Sequence, residues 1–395
     1  MWAGTTLKKL VMLAPAILIM AAMLNTLSCS NNGILQQDNG NGNSPTATPT
    51  SGTGNLAFVT NYNDAKVSSF TRNTSSGALK HTGQVTAGAK KGPRGVVASP
   101  VGNFVYVANI GDDNIYEFSF NSTNGTLSSL SPASISNGSG SGPDEMAINS
   151  SGTLLWVTDA HSGRVSIYTI NTSTGQLTAN GSIGGFNTPF GITLHPTLAV
   201  LYVSDTVTGL VWPMSYNTST GALTQNFTPE HSTDPNANTP AAIAIDSGGD
   251  SLFIADQNLG EVSSFAIDDT GALTPISTFA NSSSADVPVG VGIAVNNAIE
   301  YLFTANQGGN SVSSFTASGT TVNIPPVLAT GFNGATGLVV DPQMLYVYTA
   351  DKADGTVGQS TISGTCGLQI CAGPRVSTES PANSNSAPFG ITLAQ

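Results

Sequence analysis

From residue 54 onward, short apolar blocks and polar turns recur along the chain. The most regular block is a run of β-branched and aromatic residues closed by Asn or Asp. It reads Leu56-Ala57-Phe58-Val59-Thr60-Asn61 and then Phe104-Val105-Tyr106-Val107-Ala108-Asn109. Five further copies close at Asp159, Asp205, Asp256, Asn306 and Asp351. The closing residues stand 45 to 51 positions apart. A run this short and this rich in β-branched residues predicts a buried strand. A strand-built repeat of this period predicts one β-propeller blade per repeat.

The order of elements within a repeat is constant. A Pro-x-Gly-like turn opens a short apolar strand, as in Pro93-Arg94-Gly95-Val96-Val97-Ala98, and the regular block follows it. A polar turn then leads to a third strand with alternating apolar positions. A fourth strand follows a Gly-x-Leu turn, as at Gly77-Ala78-Leu79, Gly125-Thr126-Leu127 and Gly175-Gln176-Leu177. The opening position recurs at Pro93, Pro143, Pro189, Pro240, Pro288, Ala335 and Pro388. The last first strand, Phe389 to Leu393, has no second strand after it. The first second strand, Leu56 to Asn61, has no first strand before it. The two ends are therefore expected to complete one blade, which leaves no free sheet edge at the closure. The prediction is an all-β, seven-bladed β-propeller over 54–395, with four antiparallel strands per blade.

The segment before the repeats is of two kinds. Residues 1–29 read as an export signal, with Lys8 and Lys9 ahead of an apolar stretch from Leu10 to Leu24. It ends in Thr26-Leu27-Ser28-Cys29, which resembles a bacterial lipobox, with Thr26 in place of the usual aliphatic residue. Cys29 is the expected lipidation site. Residues 30–53 are rich in Asn, Gly, Ser, Thr and Pro and lack apolar periodicity, so a flexible tether is expected. Its 24 residues span about 27 Å r.m.s..

Composition narrows the function classes. Only 9% of residues are charged and the net charge is -12. With 11 Lys and Arg in all, the chain lacks the basic clusters that nucleic acid requires. Contact with a membrane is expected through the lipid alone. Cys366 and Cys371 remain as a pair that an oxidising compartment permits to form a disulfide. They lack a second ligand pair at zinc spacing, so no metal and no cofactor is expected.

The stretch Gly92-Pro93-Arg94-Gly95-Val96-Val97-Ala98-Ser99-Pro100-Val101-Gly102-Asn103, running into Phe104–Asn109, resembles the repeat of lactonase-type seven-bladed propellers. That family includes 6-phosphogluconolactonase and carboxymuconate-lactonising enzymes. The Tyr-Val-Thr-Asn (YVTN) repeats of surface-layer propellers are similar. The resemblance implies that the turns entering the first strand and leaving the second share one mouth of a central channel. It also implies a Gly-Pro-Arg-His run whose His faces the channel, where this chain has Gly95. A charged residue often follows the strand-closing Asn in the enzymes, where Ile110 follows Asn109 here.

On that geometry Arg94, Asp144, Phe190 and Phe389 surround the mouth. The ring from Asn61 to Asp351 offers oxygen ligands to a cation, but its repetition in every blade points to turn capping. The third repeat breaks the symmetry. Asp159-Ala160-His161-Ser162-Gly163-Arg164 sets an acid, a His and an Arg close together, and Asp144 and Glu145 enter the same blade. Lactone hydrolysis needs a base for water and a cation for the oxyanion. Glu145 or His161 could serve as the base, with Arg94 or Arg164 as the cation. Solvated loop polarity is the plainer account of the same residues. Asn-x-Ser/Thr triplets at Asn73, Asn171 and Asn217 fall in turns.

The sequence thus predicts a monomeric cell-envelope lipoprotein that binds a small molecule or a protein partner at the mouth. Lactone hydrolysis and a structural surface role are the alternatives.

Overall fold

The computed structural model describes residues 55–234, 236, 239–281, 286–296, 299–322, 326–363, 369–378 and 386–394. The leader, the tether and Cys29 lie outside them, as do Cys366 and the side chain of Cys371, so the lipid and disulfide expectations are not addressed. The described chain forms seven antiparallel sheets, each one blade. Blade two is typical. Pro93–Ala98 is innermost, followed outward by Phe104–Asn109, Asn114–Phe120 and Leu127–Ser136. The other inner strands are Pro143–Ile148, Pro189–Leu194, Pro240–Ile245, Pro288–Asn296, Ala335–Val340 and Pro388–Ala394. Each packs on the next in a closed ring around the channel.

Blade one closes the ring as expected. Leu56 pairs with Ala394 and Val59 with Ile391, so the first described strand meets the last. These pairings put Leu56 at the end of the blade away from the Asn61 turn.

The second strands are buried along their whole length in most blades. The reason is that every blade has two neighbours and both its faces are covered. Seven apolar clusters result, one at each joint. Phe58, Val107 and Phe118 fill the joint of blades one and two. Trp156, Val203 and Met214 fill that of blades three and four. Full burial of each such side chain contributes about 1.5–3 kcal/mol. This two-sided burial is why the blocks read as unbroken apolar runs rather than as alternation.

The Gly-x-Leu turn has a structural cause. Tyr106 Oη donates to the Gly175 carbonyl of the next blade at 2.6 Å. Trp156 Nε1 does the same to Gly221 at 2.9 Å, and Tyr348 Oη to Gly77 at 2.7 Å. At Gly175 φ is +77°, and a β carbon there would come within 2.2 Å of the Phe104 ring. The Asn that opens each turn accepts backbone N–H groups two and three residues on, at Asn73, Asn121, Asn171 and Asn217. The triplets at Asn73, Asn171 and Asn217 are therefore turn chemistry, as expected.

The outer strand is split in two blades. In blade four it is Leu223–Thr224 and Glu230–His231, and in blade six Thr321–Val322 and Val327–Thr330. Pro229 and Pro326 lie beside these breaks and lack the N–H that a continuous ladder needs.

Candidate functional site

The inner strands share a bulge just after their opening residue, as between Pro93 and Val96 or Pro189 and Ile192. The bulge takes a backbone N–H out of the ladder. In three blades a hydroxyl on the second strand accepts it and donates to the next blade, and in the other four Ala108, Ala255, Ala305 and Ala350 stand at that place. Thr60 accepts from Gly390 N at 2.8 Å and donates to Arg94 O at 2.6 Å. Thr158 accepts from Glu145 N at 3.0 Å and donates to Phe190 O at 2.8 Å. Ser204 repeats the clip between Gly191 and Ala241.

The inner strands lie very close with or without a clip. A β carbon on Gly95 would lie 2.3 Å from Asp144 O. The same clash arises at Gly191, Gly290, Gly337 and Gly390, each against the neighbouring inner strand's carbonyl. Gly95 therefore has a packing cause, since a side chain there would have to push the Asp144 strand away. Blade five has Ala242 at this position and blade three has Glu145.

Glu145 reaches a cavity of about 130 Å³ in the channel, walled by aliphatic residues, glycines, Phe190, Thr336 and Phe389. It is the ionisable group among the described lining residues. Burial pushes its carboxyl up to about 8, the Asp144 charge adds to the rise, and Arg94 opposes it. Asp144 is fully buried and pairs with Arg94 Nη1 across the joint of blades two and three. Burial raises the Asp144 carboxyl too, against the opposing charges of Arg94 and His161. Asp144 Oδ1 and Arg94 Nε are buried without a hydrogen-bond partner. The Arg94 guanidinium lies 5.0 Å from the Phe389 ring centroid and 5.8 Å from that of Tyr62. Lys352 Nζ lies 5.8 Å from the Phe389 centroid, and burial together with Arg94 lowers its pKa. The arrangement offers two cations, an aromatic face and a carboxyl poised between its two charge states.

The profile of the family described as lactonase, 7-bladed beta-propeller matches residues 24–180 and 187–339. This chain belongs to that family. A structure from Bacteroides fragilis, described as a candidate 6-phosphogluconolactonase, is similar at TM-score 0.73 and 16% identity. The match covers 89% of this chain and 100% of that one. The periplasmic gluconolactonase of Pseudomonas aeruginosa matches at TM-score 0.68 and 14% identity, over 86% of this chain and 99% of its own. At these identities the likeness is one of fold. No curated protein matches the sequence.

In this lactonase-family propeller, Arg94, Asp144, Glu145, Phe190 and Phe389 do share one end of the channel. His161 is exposed above Gly142, close enough for its charge to act on Asp144. Arg164 is elsewhere. It opens the third strand of blade three and lines an outer groove with Asp159. Asp159 is buried and bonded to Ser166 at 2.6 Å and to Asn137, and burial pushes its carboxyl up to about 7.

The closing residues are structural, with two modes. Asn109 caps its own turn through Gly111 N at 2.9 Å, and Asp205 through Val207 and Thr208. Others brace to neighbouring segments, as Asn306 does to Asn281 and Asp351 to Arg375. Among the described residues no group of three or more His, Cys, Asp or Glu could hold a metal ion. His195 lies in the turn between the first and second strands of blade four, at the other end from the mouth. Its Nδ1 accepts from Leu198 N at 2.9 Å, which leaves Nε2 to donate to Gly249 O.

Sequence reasoning missed Tyr62 and Lys352. Both follow a closing residue, Asn61 or Asp351. The charged residue that the resemblance implies after the closing residue is absent at Ile110 and present at Lys352. Comparing that position across all seven repeats would have found it.

Proposed function

We propose that this propeller binds a small, oxygen-rich ligand at the channel mouth, between Arg94, Lys352 and the Asp144–Glu145 pair. The observation that carries the reading is Glu145. It stands where tight packing selects Gly in five blades, and it sets a carboxyl with a raised pKa into the channel. The unpartnered Asp144 Oδ1 and Arg94 Nε suit a ligand with both a hydroxyl and an acceptor oxygen.

Lactone hydrolysis is the second reading, favoured by a titrating carboxyl beside a guanidinium. Ionised Glu145 would take a proton from water as the water oxygen bonds to the lactone carbon. Arg94 would stabilise the oxyanion. The ring C–O bond would then break, and Glu145 would return its proton to the leaving alkoxide.

The protein is further proposed to act in the cell envelope, held by lipid at Cys29. A tether reaching Leu56, away from the Asn61 turn, would leave the mouth open. Cys29→Ser should abolish incorporation of labelled fatty acid.

The functional test titrates the full-length protein with aldonic acids and their lactones by calorimetry, beside pH-stat assays that include phosphorylated sugar lactones. Binding that survives Glu145→Gln and is lost in Arg94→Ala, without turnover, supports the first reading. Turnover lost in Glu145→Gln, and in the double variant Arg94→Ala with His161→Ala, supports the second. Absence of both binding and turnover from folded protein overturns both.

A further inference from the structure

We infer that the outer groove between blades two and three is a second binding site, for a monoanionic carboxylated sugar. The mouth does not use this groove. It has a volume of about 500 Å³ and is lined by Ser136, Ser139, Ser141, Ser162 and Ser182, with Arg164 beside them.

The groove is polar where the next joint is apolar. Asn137 follows the outer strand of blade two, and its N–H donates to Asp113 O at 2.9 Å. Phe186 makes the equivalent backbone bond after blade three, to Gly163 O. Phe186 fills its joint edge-on against Trp212, with ring centroids 5.5 Å apart. Between blades two and three the same two positions hold Asn137 and Ser166. An amide and a hydroxyl stand in place of the two rings, as Asn281 and Ser313 do in the joint of blades five and six, but there both are buried while Asn137 is only half-buried.

The polar groups there are arranged, and one lacks a partner. Tyr168 donates to Asn137, Asn137 donates to Asp159, and Ser166 donates to Asp159 at 2.6 Å. Asp113 holds the Gly140 and Gly142 N–H groups at 2.8 and 2.9 Å, which fixes the serine-bearing loop. Ser141 lines the groove, is 4% exposed, and its Oγ has no hydrogen-bond partner. Buried hydroxyls in proteins are nearly always satisfied. Among the described residues Arg72, Arg94 and Arg375 each pair with a carboxylate within 4.0 Å, and Arg164 does not.

The chemistry selects the ligand. Serine hydroxyls both donate to and accept from sugar hydroxyls. A guanidinium binds a carboxylate through two parallel donors. Asp113 and Asp159 flank the groove, so a doubly charged phosphate would meet more repulsion than a single carboxylate.

The test is calorimetric titration of the full-length protein with monomeric galacturonate, which carries one carboxylate, against neutral galactose. The uronate is expected to bind at least tenfold more tightly. Arg164→Gln should erase that preference, and Ser182→Phe, at an exposed position on the groove, should block both sugars. Lys352→Gln, at the mouth, should leave the uronate affinity within twofold. Failure of the uronate to bind, or binding unchanged in both groove variants, overturns the site. Loss of binding in Lys352→Gln assigns the sugar to the mouth and overturns it as well.

Discussion

Arg94 and Asp144 occupy the same position on neighbouring inner strands and pair across the joint between their blades. Asp144 is wholly buried, while the Arg94 side chain is 25% exposed. Removing one partner of a buried pair strands the other, at a cost of about 3–5 kcal/mol. Arg94→Ala is expected at the low end, about 3 kcal/mol, because its guanidinium keeps some water. Urea unfolding of the variant beside Lys352→Ala measures the difference. An equal, small loss in both would show that the pair does not brace the joint.

Gly95→Ala is predicted to destabilise although it adds one methyl group. The added β carbon would meet a backbone oxygen at 2.3 Å, which no rotamer change relieves. Overpacking of this kind costs about 1–3 kcal/mol. Ala242 already carries a methyl at the matching place in blade five, so Ala242→Gly should not stabilise. Thermal midpoints of the two variants decide the matter.

Tyr106→Phe leaves the buried Gly175 carbonyl without its donor. The expected loss is about 1–2 kcal/mol, as for other buried acceptors left unpaired. Denaturant midpoints at unchanged slope would register it. A neutral result would mean that the aromatic ring alone, and not its hydroxyl, locks blade two to blade three.

Stability should fall as pH rises from about 4.5 to about 8. Burial is the main cause that pushes Glu117 up to about 7, Glu145 to about 8, Asp159 to about 7 and Asp351 to about 7. Over that window the folded state holds protons that the unfolded state has released, so the folded state is favoured on the acid side. Asp113 and Asp268 are held low and act only below it. Thermal midpoints are expected to drop from pH 5 to pH 8.5 and then level. Glu117→Gln should flatten the part ending near pH 7. Any hydrolysis that uses Glu145 as base should instead rise with pH through about 8. A midpoint that climbs between pH 5 and 8.5 would contradict the buried-acid account.

The sequence by itself determined the seven blades, the closure of Leu56–Asn61 on Pro388–Ala394, and the turn role of Asn73, Asn171 and Asn217. These depend on pairing between residues close in the chain or repeated at one period, and a period is visible in a string. With the mouth geometry that the family resemblance implies, it also placed Arg94, Asp144, Phe190 and Phe389, which share one repeat position, at one mouth, with Glu145 beside Asp144. Tertiary structure decided what happens across the joints. Gly95 was legible as a missing His, and only the 2.3 Å approach of Asp144 O shows why glycine stands there. Arg164 sits close to Asp144 in sequence, yet the start of a third strand lies well out from the channel axis, so it faces another groove. Lys352 is 208 positions from Asp144, and ring closure sets it at the same mouth. How closely adjacent blades pack, and which side chains meet there, is set by their mutual rotation. No single repeat encodes that rotation.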